Sequence, residues 1–312
     1  MVELCTAKYP GVKASAADDA VLPYELRPRI LGGKPKGESA GVDIHFKCTQ
    51  CGKCCRDSRI PLAVAEAIGW LNRGHPVQLI CEASPWPEGL ADQDPRAAHF
   101  KRRSFAAVSG TLATRVVVNL VANNAGACPN LLPDMRCGIY EDRPLVCRIY
   151  PAEINPSVAL SPAKKACPPE AWTKDLPVLQ RNGNVMNDVV REDIRSWRAA
   201  DAADVPLKSR LCVALNITDA ALVHEAVLVY SPAIDTLLSA LAGAAQGDDD
   251  GPGSVQWRFV SDRPETLEDV AAHGGIGLHV RDADPVSYQH LNFEREALFG
   301  PYASRASDPS PP

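Results

Sequence analysis

Eight of the chain's eleven cysteines lie in two groups whose spacing suits metal ligation. The other three, Cys5, Cys81 and Cys212, occur singly and are expected to be small buried hydrophobic residues. Thiolates grouped in this way bind zinc, iron ions or iron–sulfur clusters. The eight candidate ligands are Cys48, Cys51, Cys54, Cys55, Cys128, Cys137, Cys147 and Cys167.

The first group, which consists of Cys48, Cys51, Cys54 and Cys55, favours an iron–sulfur centre. Its C-x-x-C-x-x-C run is the way ferredoxins present three thiolates to one [4Fe-4S] cluster, with a fourth ligand from elsewhere in the chain. Cys128 and Cys167 are each followed by proline, as is the remote fourth ligand of two-cluster ferredoxins. Gly52 can adopt the backbone angles that a tight wrap around a cluster needs. Adjacent cysteines rarely ligate one atom, so either Cys54 or Cys55 should face a second centre or the core.

Zinc is the alternative metal for these cysteines. A zinc site made of four cysteines is usually built from two closely spaced pairs, and only the first group contains such pairs. An iron–sulfur centre is therefore favoured over zinc or iron ions. The spacing leaves open whether the two groups share one centre or form two. His45 lies three residues before Cys48 and is interpreted as an ordinary polar residue rather than a ligand.

The composition argues against several classes of partner. The net charge is -5 and no basic stripe is present, which argues against nucleic acid. No apolar run reaches the roughly 20 residues that span a bilayer, and the first residues lack the pattern of a secretory signal. We therefore expect a cytoplasmic protein without a membrane partner. In the reducing cytoplasm, cysteines bind metals or take part in catalysis more often than they form disulfides. The substrate, a small molecule or a protein, is not indicated.

The elements around the cysteines predict an α-rich α+β fold. An irregular metal-binding half, rich in proline, would be followed by a helical segment and a small β element. In the proline-rich part, metal ligation would replace a conventional core. The predicted segments are an irregular extension at 1–43, the metal-binding domain at 44–180, a helical segment at 181–246, a linker at 247–253, a small α/β element at 254–300 and a disordered tail at 303–312.

Several elements follow from the pattern of apolar residues. A helix is predicted for 61–72, with Pro61 in its first turn, and a strand for 115–121. Residues 82–104 are polar and contain prolines, so a loop is expected there. Apolar residues at helical spacing predict helices across 186–197 and after Ser231-Pro232.

Two motifs occur in order along the chain. They are Phe46-Lys-Cys48-x-x-Cys51-Gly-Lys-Cys54-Cys55-Arg56 and Cys137-x-Ile-Tyr140-Glu-x-Arg143-Pro144-x-x-Cys147-Arg148-x-Tyr150-Pro151. These motifs resemble the CxxCxxCC (YkgJ-like) cysteine-cluster family of bacterial proteins, which is described as zinc- or iron-chelating and includes flagellin lysine N-methylase. The resemblance covers about residues 46–170 and implies a metal ion or [4Fe-4S] centre at the matching cysteines. For the methylase members it also implies methyl transfer from S-adenosylmethionine to a protein lysine.

The favoured function is an iron–sulfur or metal-dependent enzyme with the centre at or near its active site, which requires an iron with a replaceable ligand. Three alternatives remain open: a redox or electron-transfer module, a structural zinc domain that presents an interaction surface, and a methyltransferase acting on protein lysine. No catalytic residue is indicated, and no G-x-G-x-x-G fingerprint of a dinucleotide site is present.

Overall fold

A computed structural model describes residues 43–86, 95–247, 255–283 and 287–291. Among these residues the fold is mixed α/β, with seven α-helices, 36% helix and 29% strand. The predicted mixture of helices and strands is confirmed, but the fold is not clearly α-rich, and its β-structure is far larger than the small element expected. The physical reason is long-range strand pairing, which joins short apolar segments from distant parts of the chain and leaves little trace in local sequence.

A mixed sheet of nine strands dominates the structure. Six strands follow one another across it in the order β11-β10-β8-β3-β5-β2, while β4 pairs with β5 and β9 pairs with both β3 and β12. The strands of this sheet are β2 (Arg56–Leu62), β3 (Gln78–Pro85), β4 (Phe105–Ser109), β5 (Leu112–Ala127), β8 (Asp219–Leu222), β9 (Ala226–Tyr230), β10 (Arg258–Ser261), β11 (Gly277–His279) and β12 (Ser287–His290).

The strand β5 is the longest in the sheet and organises its first half. The β-branched run predicted as a strand lies at its centre, so that prediction is confirmed. On one edge β5 pairs antiparallel with β3, and on the other with β4 and then β2. Its last residues extend to Ala127, immediately before the candidate ligand Cys128.

Helices cover one face of the sheet. The main core joins strand residues such as Leu79 and Leu120 to Trp70 of α1, Leu211 of α5 and Leu237 of α6. Burial of these large apolar side chains supplies the main driving force for folding. The helices are α1 (Val64–Asn72), α2 (Pro95–Arg102), α3 (Leu145–Ile149), α4 (Asp188–Ala203), α5 (Val205–Ala214), α6 (Ile234–Gln246) and α7 (Pro264–Ala272).

A smaller sheet and a second apolar cluster hold the cysteine-rich loops. The sheet contains β1 (Ile44–His45), β6 (Val178–Arg181) and β7 (Asn184–Val185) in the order β1-β6-β7. The cluster packs Ile149 and Ile154 against Trp197 of α4. The proline-rich segment is thus anchored to a helix beyond it in sequence.

Two local predictions fail near the first cysteine group. Pro61 lies inside β2, and the helix begins at Val64. The expected loop at 82–104 contains the end of β3 and the helix α2. By contrast, α4 and α6 confirm the helices expected from apolar spacing.

Some predictions concern residues outside the described ranges. These are the irregular extension at 1–43, apart from Asp43, the linker after Gly247 and the tail at 303–312. Within the ranges that are described, no helix combines the length and apolar character needed to cross a membrane.

Candidate metal centre

The loop that carries the first cysteine group turns sharply at Gly52. This residue has a φ of 68°, in the left-handed region that favours glycine. A Cβ atom at this position would lie 2.6 Å from the carbonyl oxygen of Met135. The short 3₁₀ turn Lys53–Cys55 follows directly. The predicted role of Gly52 in a tight wrap therefore has a concrete cause, the close approach of the second cysteine segment.

Strand pairing brings the two cysteine groups together. Pairing of β2 with β5 places Cys128 beside Cys55, and the Cys128 backbone N–H donates to the Cys55 carbonyl at 2.7 Å. The following loop closes on itself, because Cys137 bridges to Leu131 and Gly138 N–H donates to the Asn130 carbonyl at 2.7 Å. Three of these thiol residues, Cys55, Cys128 and Cys147, also pack against the main core.

The helix α3 positions Cys147. Its first residue, Leu145, donates its backbone N–H to the Glu66 carboxylate at 2.7 Å. The same carboxylate accepts the backbone N–H of Ala63 at 2.9 Å. Because Glu66 lies in the first turn of α1, this hydrogen bond joins the start of α3 to the N-terminal end of α1. Burial raises the pKa of Glu66, while the two N–H donors oppose that effect.

Electrostatic coupling shows that Cys55, Cys128, Cys137 and Cys147 lie near one another; we call these residues the Cys147 set. Burial is the main cause that raises the pKa of Cys147, and the thiols of Cys55, Cys128 and Cys137 raise it further. Burial also raises the pKa of Cys128, with contributions from Cys55 and Cys137. Burial first, and the neighbouring thiols second, thus hold the pKa values of Cys128 and Cys147 above the ordinary range of a thiol. A cation between the thiols would lower these pKa values.

A second set of cysteines lies where the residues before Cys48 form hydrogen bonds with the segment 167–178. Lys47 N–H donates to the Ala171 carbonyl at 3.1 Å, and the rings of Phe46 and Trp172 lie 4.8 Å apart. These contacts place Cys48 near Cys167. Burial raises the pKa of Cys167 to about 11, and the Tyr150 hydroxyl opposes this while Cys48 and Cys51 add to it. We call Cys48, Cys51, Cys54 and Cys167 the Cys167 set.

Cys54 lies between the two sets. Its thiol is the largest cause that raises the pKa of Cys55, followed by burial. It also acts on the Tyr150 phenol, whose pKa is raised first by burial and then by Cys167 and Cys54. Its assignment to the Cys167 set rests on this shared neighbour and on the C-x-x-C-x-x-C spacing. The expectation that adjacent cysteines face different centres stays a prediction.

Tyr150 was not singled out as a functional residue by the sequence, although it belongs to the second motif. Its hydroxyl accepts the backbone N–H of Ala166 at 2.8 Å, which fixes it beside Cys167. Basic side chains also approach the thiols. Arg143 lowers the pKa of Cys55 and Cys147, and Lys165 lowers that of Cys167. Arg148 instead pairs with Asp193 at 2.7 Å.

The remaining described cysteines lie apart from both sets. Cys81 and Cys212 are fully buried in the main core and interact with each other. This agrees with the prediction that they are packing residues, while Cys5 lies outside the described residues. His45 accepts or donates a hydrogen bond at 2.6 Å between its Nδ1 and the Leu176 carbonyl, which fits a structural role.

The donor atoms suit zinc or iron in kind and in number, since four thiols are available in each set and cations lie close by. Among the residues described, no three His, Cys, Asp or Glu side chains already lie at ligand spacing. Metal binding would therefore have to draw the thiols of a set together. The two sets therefore fit a metal by the type of donor atom and by the proximity of the residues.

Cysteines gathered by distant strands and loops define this region as a cysteine-rich chelating domain. Residues 47–168 match the family model CxxCxxCC, described as "Putative zinc- or iron-chelating domain". No curated protein and no solved structure matches the chain.

Proposed function

We propose that the protein is an iron–sulfur protein with one thiolate-ligated centre at each cysteine set, and that it transfers electrons. The observation that carries this proposal is which cysteines neighbour Cys167. This residue precedes proline and lies beside Cys48 and Cys51, which begin a C-x-x-C-x-x-C run. Three closely spaced thiolates with one remote Cys-Pro ligand is the ferredoxin arrangement of a [4Fe-4S] cluster.

Four thiols per set favour electron transfer over catalysis at the centre. An enzyme that binds substrate at a cluster needs an iron with a replaceable ligand, whereas four cysteines fill every position of a cubane. The two sets also adjoin each other at Cys54 and Cys55. Such clusters, when bound, supply one-electron chemistry whose potential depends on charge, hydrogen bonding and exposure.

The chain's own residues contribute charge and shielding. Arg143 and Lys165 place cations beside the two sets, which favours the ionised, ligating form of the thiols. The buried positions of Cys128 and Ile149 shield the Cys147 set on its core side. Protection from water is one of the factors that tune a cluster's potential.

Zinc in one or both sets is the main competing proposal. A structural zinc site would make the domain a folded platform without redox chemistry. Methyl transfer from S-adenosylmethionine rests on the family resemblance alone, and nothing among the described residues adds to it.

The test is anaerobic purification of the full chain, followed by quantification of iron, sulfide and zinc and by an absorption spectrum. A brown protein that carries iron and sulfide in equal amounts and bleaches reversibly on reduction supports the proposal. A colourless protein with two zinc ions per chain would overturn it. A cluster that turns over a substrate through an open iron would support the enzyme instead.

A further inference from the structure

A cavity of about 40 Å³ lies between α2, α4 and the loop at 154–155, away from the cysteines in sequence. A single buried water needs only about 10–15 Å³ on this measure, so the space admits a group of several heavy atoms. Polar and charged side chains dominate the lining, which includes His99, Arg102, Arg103, Trp197, Arg198 and Asp201.

Positive charge exceeds negative charge around this cavity. Among the lining residues that the structure describes, Asp201 alone is acidic, and its carboxylate accepts from Arg103 Nε at 2.9 Å and from Lys208 Nζ at 2.6 Å. One negative charge is thus shared between two cations. Arg198 donates through Nε and Nη2 to the neutral Ile154 carbonyl, at 2.9 and 2.7 Å. Neither contact offsets the charge of Arg198.

Arg102 adds a further cation. No hydrogen bond or ion pair joins its guanidinium to another residue in the ranges that the structure describes. A further acid, Glu82, interacts electrostatically with Arg103. Burial raises the pKa of Glu82 to about 7, so it is a weak counter-charge.

The surroundings of His99 show how closely these cations converge. Burial lowers the pKa of His99 to about 4, and Arg103, Arg198 and Arg102 all lower it further. Three guanidinium groups therefore act on one imidazole. That ring is neutral at physiological pH and can donate one hydrogen bond without adding charge.

We propose that this cavity is a binding site for phosphate or for the phosphate group of a ligand. Guanidinium groups bind oxyanions through paired, charge-assisted hydrogen bonds, and a dianion would offset the excess positive charge. The cavity's volume admits a group of that size. The site joins the CxxCxxCC segment to the helix α4 beyond it, so phosphate bound there would link the two parts of the chain. This inference is independent of what the cysteines bind.

Calorimetric titration of the full chain with inorganic phosphate, at fixed ionic strength, tests the site. We expect saturable binding of one phosphate per chain and a rise in melting temperature that chloride does not reproduce. Arg102→Gln should weaken binding at least tenfold, about the effect of one charge-assisted hydrogen bond. Metal content is measured in the same samples, so loss of a cluster is not mistaken for loss of phosphate binding.

Arg195→Gln is the matched control. Arg195 lies on α4, is exposed and pairs with Glu192 at 3.1 Å, so the variant makes the same change in net charge outside the cavity. Phosphate affinity should stay within twofold of the unmodified protein. Equal losses in both variants, or no saturable phosphate binding to the unmodified chain, would overturn the proposal. Preference for acetate over phosphate would identify a carboxylate site and overturn it as well.

Discussion

Cys128 donates its backbone N–H to the Cys55 carbonyl at 2.7 Å, so a cysteine from 48–55 and a cysteine from 128–167 lie side by side. The pairing of β2 with β5 creates this contact. It brings Cys55 into the Cys147 set, while the preceding residue, Cys54, acts on Tyr150 beside Cys167. The proposal of two centres therefore assigns these neighbours in sequence to different centres.

Single replacements of Cys54 and Cys55 should show whether the two sets hold separate centres. Cys54→Ser should remove the metal of the Cys167 set, and Cys55→Ser that of the Cys147 set, because each variant deletes one of four thiolates. Each should lower iron and sulfide per chain by about half, since a serine hydroxyl is a poor ligand for these metals. The measurement is metal and sulfide analysis after anaerobic purification.

Cys212→Ala is the control for that experiment, because Cys212 is buried away from both sets. It should leave the metal content unchanged. If Cys54→Ser and Cys55→Ser each abolished all bound metal, a single shared centre would replace the two proposed here.

Gly52→Ala should disrupt the wrap around the first motif. A left-handed backbone costs a non-glycine residue about 1–2 kcal/mol, and the added Cβ would also meet the Met135 carbonyl oxygen at 2.6 Å. We expect lower metal content together with lower stability, measured by metal analysis and thermal unfolding. Gly74→Ala is matched to it, because Gly74 has a φ of 81° but nothing within 4 Å of the added Cβ. Equal effects of the two variants would show that the contact with Met135 is unimportant.

Glu82 should make stability depend on pH. Burial raises its pKa from 4.5 to about 7, and its Oε1 has no hydrogen-bond partner among the described residues. The folded state binds this proton more tightly than the unfolded state does. The stabilising contribution is therefore complete below about pH 4.5 and is lost as the pH rises through 7.

Glu82→Gln should remove this loss. The variant's free energy of unfolding, relative to the unmodified protein, should increase by roughly 3 kcal/mol between pH 5 and pH 8. Denaturant unfolding of both proteins at a series of pH values measures the difference. A difference that stays constant over this range would contradict the assignment.

The ion pair between Asp201 and Lys208 should be costly to break. The atoms lie 2.6 Å apart, and both side chains are almost completely buried. Asp201→Asn would leave the Lys208 ammonium buried beside a neutral amide, which should cost about 3–5 kcal/mol of unfolding free energy.

Adding Lys208→Met should recover the part of that loss that the buried ammonium causes, while Arg103, which also pairs with Asp201 at 2.9 Å, keeps the rest. Asp188→Asn is the comparison, because its pair with Arg191 is exposed and should contribute less than about 1 kcal/mol. Chemical denaturation of the unmodified protein, these variants and the Lys208→Met single variant gives the energies. Additive effects of the Asp201 and Lys208 changes would argue against a direct interaction.

The sequence alone was sufficient to name the ligand candidates and to predict helices where α1, α4 and α6 lie. Cysteine spacing and the period of apolar residues are local signals, and Trp197 lies on the buried face of α4 that this period predicts. The arrangement of Cys55 beside Cys128 could not be predicted, because it depends on the pairing of distant strands. The same holds for the parallel pairing of β8 with β10, each only four residues long.

Strand β3 has a consequence for any attempt to isolate the cysteine-containing segment. It lies inside the family match at 47–168, yet one of its edges is covered by β8 and β9, which come from residues 219–230. A fragment cut at the family boundary would expose an unpaired apolar edge from Leu79 to Ala83, which invites aggregation. We therefore expect the segment 47–168 to need the strands at 219–230 for its solubility, so that it could not be moved intact into another protein.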